Sequence, residues 1–292
     1  MERELWSNVV ALVTRAGRDH QQRQRQFTDE IIVLTWLWAG LHDRPICWAT
    51  SRRNWPFYLR MKHRPTSSTM SRRLRSPSLL ALIKRVWNEL PKVTDQESVL
   101  IIDGKPMPVG GYTNDRDARS GRACGCFAWG YKLYLVLDEF ARIHAWKVHP
   151  MNVSEQATAE ELIPQAAASA GTDKWLLGDK IYDSNRLDIL AEEHGLRLLT
   201  QRMRTNDPIG PKQSFGRARA IEMLERPGTE AGLALFARRE KIERFLGTLC
   251  CTGGGLGPLP GFVRGLDRVR RWVEAKLLLH SLRRAMKRVL AA

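Results

Sequence analysis

The order of apolar runs after about residue 97 constrains this chain more than any other feature. Val99-Leu100-Ile101-Ile102, Tyr131-Lys132-Leu133-Tyr134-Leu135-Val136-Leu137 and Ile143-His144-Ala145-Trp146-Lys147-Val148 are rich in β-branched and aromatic residues and read as three strands of a meander. A helix is expected next over about 155–170, with Ser154 as N-cap and Glu155 behind it, then a short strand Lys174-Trp175-Leu176-Leu177. Asp183 or Ser184 caps another helix over about 185–194, and Leu196-Arg197-Leu198-Leu199-Thr200 makes a fifth strand. Helices are then expected over about 230–249 and 266–289, joined by the Gly/Pro loop 253–261.

Three strands, then helix, strand, helix, strand and helices is the order of the ribonuclease H-like fold, an α/β architecture with a mixed sheet flanked by helices. In that topology the first strand lies beside the fourth. Asp103 ends the first apolar run and Asp179 ends Trp175-Leu176-Leu177-Gly178, so both fall at carboxyl ends of neighbouring strands, where open α/β sheets place their sites. Glu243 arrives from a later amphipathic helix, in which Ile242, Phe245, Leu246 and Leu249 form the apolar stripe and Arg239 lies one turn earlier on the same face as Glu243. Three carboxylates converging from two strand ends and a helix make an oxygen-rich ligand set for a divalent cation, the usual equipment for cutting phosphodiesters. Asp115, Asp117, Asp138, Asp183 and Glu240 are less suited, since they fall in a polar loop, at another strand end or on a neighbouring helix face.

Composition narrows the partner. Forty-seven Lys and Arg against thirty-one Asp and Glu give a formal charge of +16, which favours a polyanion such as DNA. The first 95 residues hold seventeen of those cations against eight acids and are expected to form a separate helical, DNA-binding region, with residues 96–292 as the catalytic domain. Thr28-Asp29-Glu30 opens a core helix over about 29–40. Residues 51–65 interleave cations and aromatics, as a phosphate-tracking surface does, and Thr66 to Arg75 form a short hydroxyl-capped helix in the manner of a helix-turn-helix reader. Arg52, Arg53, Lys62, Arg72, Arg73 and Arg75 are the expected phosphate contacts, although Trp55, Met70 and Leu74 fit a core equally well, with the arginines as a solvated face.

Other classes are excluded or disfavoured. The longest apolar stretch, 31–40, is far shorter than the roughly 18 residues a membrane span needs. The N-terminal Met-Glu-Arg-Glu-Leu-Trp lacks the basic-then-apolar order of a signal peptide, so a cytoplasmic, nucleoid-associated location is expected. Cys47, Cys124, Cys126, Cys250 and Cys251 are an odd set without zinc spacing and read as reduced thiols.

The chain resembles the DDE transposases of bacterial insertion sequences over about residues 28–288. Ile102-Asp103-Gly104-Lys105-Pro106-Met107-Pro108 and Gly178-Asp179-Lys180-Ile181-Tyr182-Asp183-Ser184 are similar to the segments around that family's first and second Asp. Gly130-Tyr131-Lys132-Leu133 and Pro150-Met151-Asn152-Val153 are similar to its second and third strand signatures. One branch carries Y-x-x-R-x-x-x-E-x-x-x-x-x-x-K at the third acid; here Arg239 and Glu243 are present, while Phe236 replaces the Tyr and Cys250 the Lys. The resemblance implies two Mg²⁺ or Mn²⁺ ions held by Asp103, Asp179 and Glu243, DNA contact from Lys180 and Arg239, and a homo-oligomer assembled on transposon ends and target DNA. It implies cleavage and strand transfer; a nuclease or resolvase without strand transfer, or an inactive DNA-binding descendant, would share the same fold.

Overall fold

The computed structural model describes residues 2–18, 26–56, 59, 63–90, 99–110, 114–123, 125–204, 212–225, 228–251 and 255–289. Two compact units emerge: one joins Met1–Lys92, Leu249–Val263 and Arg268–Ala292, the other Val93–Thr248 and Arg264–Asp267.

The first unit is helical. Helices α1 (Glu2–Gly17), α2 (Asp29–Leu41), α3 (Ile46–Ala49), α4 (Ser67–Arg73) and α5 (Pro77–Asn88) precede the sheet. The Thr28 side chain caps α2 at the Ile31 amide, as its position before Asp29 and Glu30 predicts. Helix α5 begins with Pro at its first turn and buries Leu79, Leu82, Ile83 and Val86, spaced to form one face. Trp55 is buried, stacked on Trp38 with ring centroids 4.6 Å apart and covered by the Arg64 guanidinium at 3.5 Å. Trp55, the one Trp, Phe or Tyr of segment 51–65 among the described residues, therefore belongs to the core. The long C-terminal helix α11 (Leu266–Val289) adds Ala275, Leu278, Leu279 and Leu282 to that same core. This differs from the expected boundary near residue 95. The apolar stripe of α11 finds its complement in helices distant in sequence, which no local pattern encodes.

The second unit holds the sheet. Strands β1 (Val99–Pro108), β2 (Arg119–Ala123), β3 (Cys126–Asp138), β4 (Ile143–Pro150), β5 (Lys174–Leu177) and β6 (Leu196–Leu199) are ordered β2-β3-β1-β5-β6, with β4 also paired to β3. β1, β3 and β4 are antiparallel, whereas β1, β5 and β6 run parallel, joined by α6 (Glu155–Ala170) and α7 (Asn185–Glu193). This is the mixed, helix-flanked sheet expected of a ribonuclease H-like fold. Leu100, Ile102, Tyr134, Val136 and Leu176 pack under Ala159, Leu162 and Ile163 of α6. Val99 to Ile102 are all essentially inaccessible, each side chain adding about 1.5–3 kcal/mol of burial.

Two features differ from expectation. Residues 119–123 form strand β2 where a loop is expected, because their small and basic residues carry almost no strand signal and pairing to β3 decides the conformation. The expected helix over about 230–249 is broken into α9 (Glu230–Ala237) and α10 (Glu240–Cys251), preceded by α8 (Phe215–Leu224).

Candidate active site

Asp103 stands in the middle of β1, opposite Leu135 of β3. The parallel register pairs Val99 with Trp175, Leu100 with Leu176 and Ile101 with Leu177; the ladder ends there, two residues before Asp103 on β1 and two before Asp179, which follows β5. Gly178 lies close against neighbouring side chains. A Cβ there would lie 3.0 Å from Tyr182 Cδ2, 3.2 Å from Ile102 Cγ2 and 3.3 Å from Thr200 Cγ2, so any other residue would push those side chains aside by a few tenths of an ångström. Both aspartates thus follow the carboxyl end of the β1–β5 ladder.

Their surroundings are different. Asp103 is largely buried, and burial pushes its carboxyl up to about 6; the Gly104 amide, at 2.7 Å from Oδ1, and the cations Arg239 and Lys132 oppose that rise, while Glu155 adds to it. Asp179 is exposed and caps the short 3₁₀ turn Lys180–Tyr182 through its own side chain. A carboxylate held short of full charge compensation next to an accessible one is a natural seat for a cation.

Glu243 sits on α10, where Ile242 and Phe245 are buried as the stripe predicts. The side chain itself is 60% exposed and ion-paired with Arg239 at 3.2 Å. The link to Asp103 is electrostatic: Arg239 acts on both carboxylates. Glu139, just beyond β3, accepts Arg238 at 3.3 Å and lies 3.7 Å from Lys241, tying the start of α10 to the sheet.

All donors are oxygens, a set that suits Mg²⁺ or Mn²⁺. Among the described residues, however, no three of His, Cys, Asp or Glu lie close enough to hold a metal together. Asp103, Asp179 and Glu243 do not form such a group in this conformation.

Several polar neighbours escape a sequence reading. Lys132 Nζ donates to Glu155 Oε1 at 2.5 Å, and Tyr182 Oη donates to Glu155 Oε2 at 3.4 Å. Arg122, Lys132, Tyr134, Glu155 and Gln156 line a cavity of about 310 Å³. Glu155 reads from the sequence only as a first-turn acid of α6; its position directly after the Pro150 to Ser154 segment is the one available signal. Asp138, in contrast, is fully buried and binds His144 at 3.1 Å and the amides of Phe140 and Arg142, a structural role in the β3–β4 turn.

The expected DNA contacts divide. Arg52 and Arg53 are exposed on a 3₁₀ turn, and Arg72, Arg75 and Lys180 are exposed as well. Arg72 and Arg75 border an open depression of about 450 Å³ with Ser68 and Ser71. Arg73 behaves otherwise: it is buried, ion-paired with Asp29 and bonded to the Phe27 carbonyl at 3.0 Å, so its charge is compensated inside the helical unit and is not presented to phosphate. Helical periodicity along α4 decides this: Met70 and Arg73, three residues apart, share the buried face, while Arg72 lies on the exposed side. Lys62 lies outside the described residues.

A family model for the transposase DDE domain matches residues 94–253, from β1 through α10. The chain belongs to the DDE transposase family. The matched span holds all three candidate carboxylates and the whole sheet of the second unit. No curated protein and no solved structure matches the chain. Among the described residues no helix is long and apolar enough to cross a membrane.

Proposed function

We propose that this DDE transposase mobilises an insertion sequence: it binds terminal inverted repeats, cleaves at the element's ends and joins them to target DNA. The observation that carries this reading is Asp103, a partly buried carboxyl raised to about 6 on β1, two residues beyond the parallel ladder with β5; Asp179 follows β5, two residues after its last paired position. Asp103, Asp179 and Glu243 would hold the divalent cations, Mg²⁺ or Mn²⁺ and two in number. Divalent metal held by these carboxylates would supply Lewis-acid chemistry for water or a 3′-hydroxyl and would offset the charge of a scissile phosphate beside them. The chain's own part is to offset, through Arg239 and Lys132, some of the cost that burial puts on the charged form of Asp103, and to present Asp179 just past β5. Arg52, Arg53, Arg72 and Arg75 supply phosphate contacts, and Lys180 and Arg239 approach DNA near the carboxylates. A homo-oligomer on paired ends and a cytoplasmic, nucleoid-associated setting accompany this activity.

The exposure of Glu243 and its pairing with Arg239 favour one rival, a DNA-binding descendant without catalysis. Incubating the protein with a pre-cut element end, target plasmid and Mg²⁺ separates the readings. Joined product is expected from the wild type, and none from Asp103→Asn, Asp179→Asn or Glu243→Gln, with end binding retained in all three. Cleavage without joining identifies a nuclease; joining by any of the three variants removes that residue from the catalytic set.

A further inference from the structure

Beyond the end of β1 the sheet continues as a two-stranded ribbon. Pro108 is the last β1 residue in the ladder, opposite Gly130, while Cys126 to Trp129 continue against Ala123 to Ser120 of β2. On this ribbon Phe127 is 74% exposed and Trp129 59%, the only pair of large exposed apolar side chains two residues apart among the described residues. Residues two apart share a sheet face. The register of β3 is unbroken from Gly130 to Leu135, the residue opposite Asp103, so the two aromatics stand on the Asp103 face. Six residues separate Trp129 from Leu135, or ~20 Å, and Phe127 lies ~27 Å away, about the length of six to eight nucleotide steps.

Charge accompanies the aromatics. Arg122 pairs with Phe127 across the ribbon and shares its face, whereas Arg119, opposite Gly130, stands on the other face; Arg116 lies in the turn before β2. The acids of this segment are engaged elsewhere: Asp115 accepts the Tyr131 hydroxyl at 2.8 Å and the Gly265 amide at 3.1 Å, and Asp117 accepts the Leu266 amide at 2.9 Å. Arg119 donates to the carbonyls of Arg116 and Ala118, which leaves its charge uncompensated. Among the described residues no carboxylate pairs with any of the three arginines. A second copy of a chain with net charge +16 would be repelled by such a face, whereas single-stranded DNA offers phosphates and bare bases in alternation.

We infer that the β2–β3 ribbon is a stacking platform for single-stranded DNA, with Trp129 and Phe127 against unpaired bases and Arg122, with Arg116 in the turn before β2, along the phosphates. This rests on the transposase reading, in which strands open beside the cleaved end. The test is fluorescence anisotropy of the full chain with two probes, a mixed-sequence single-stranded oligonucleotide and its fully paired duplex. Trp129→Ala and Phe127→Ala should each weaken single-strand binding about tenfold. Duplex affinity should hold within about twofold, and thermal melts should coincide, because both side chains are exposed. Trp129→Phe should keep most of the affinity, and Trp129→Leu should lose it. Wild-type binding with unaffected alanine variants overturns the ribbon's role alone, as does equal recovery by Leu. Variants that sediment as smaller assemblies with unchanged single-strand affinity make the ribbon a protein interface and overturn it too. Wild-type protein that binds neither probe overturns the DNA reading together with this inference.

Discussion

Replacing Asp103 by Asn should make the protein more stable while abolishing cleavage. In the folded chain burial raises the Asp103 carboxyl from 3.8 to about 6. At about 1.4 kcal/mol per tenfold change in proton affinity, the ionised side chain costs the fold about 3 kcal/mol. The direction follows from proton counting. Between pH ~4 and ~6 the folded state still holds the proton that the unfolded chain has released, so this contribution to stability is complete below about 4, declines through that window and is absent above about 6. Asn keeps the shape and does not ionise. Urea denaturation with a chelator present should therefore give similar stabilities for Asp103→Asn and wild type near pH 4. At pH 8 the variant should be favoured by about 1–3 kcal/mol, the lower figure allowing for the lost charge on the hydrogen bond from Gly104. Adding Mg²⁺ should then stabilise the wild type, by about 2.7 kcal/mol at a hundredfold excess over Kd, and leave the variant unchanged. A variant no more stable than wild type at pH 8 would refute the claim that Asp103 is held against its own ionisation.

Arg239 favours the charged form of Asp103, so Arg239→Ala should raise that carboxyl beyond about 6 and move the acid limb of metal-dependent cleavage to higher pH; an unmoved limb separates Arg239 from Asp103. Arg73→Met leaves Asp29 buried without its partner and should cost about 3–5 kcal/mol in urea melts, a loss below about 1 kcal/mol counting against a structural role. Arg72→Ala and Arg75→Ala should change stability by no more than about 0.5 kcal/mol, yet each should weaken DNA binding and reduce its salt dependence by about one ion.

Much of the catalytic unit was legible because its signals are local. The runs ending at Ile102 and Leu177 are long enough and apolar enough to be strands wherever they land, and helix α6 follows the limits that Ser154 and Glu155 set. The positions of Asp103 in β1 and of Asp179 just past β5 were legible for the same reason, each being the first acid after an apolar run. Strand β2 was not, since Arg119-Ser120-Gly121-Arg122-Ala123 becomes extended only by pairing with β3. Glu155 was hidden by its ordinary place at a helix start. Its partners Lys132 and Tyr182 come from two other elements.

Hydrophobic pattern and strand order by themselves determined the mixed sheet, the positions of the two aspartates along it and the positive charge that calls for a polyanion. Only the tertiary structure decided which arginine of α4 turns inward to Asp29, which core receives α11 and how far Asp103 is withdrawn from water. Periodicity reports which side of an element is apolar, but ionisation and ion pairing depend on what distant segments bring to that side, and their separation in sequence is too great for any local pattern to record.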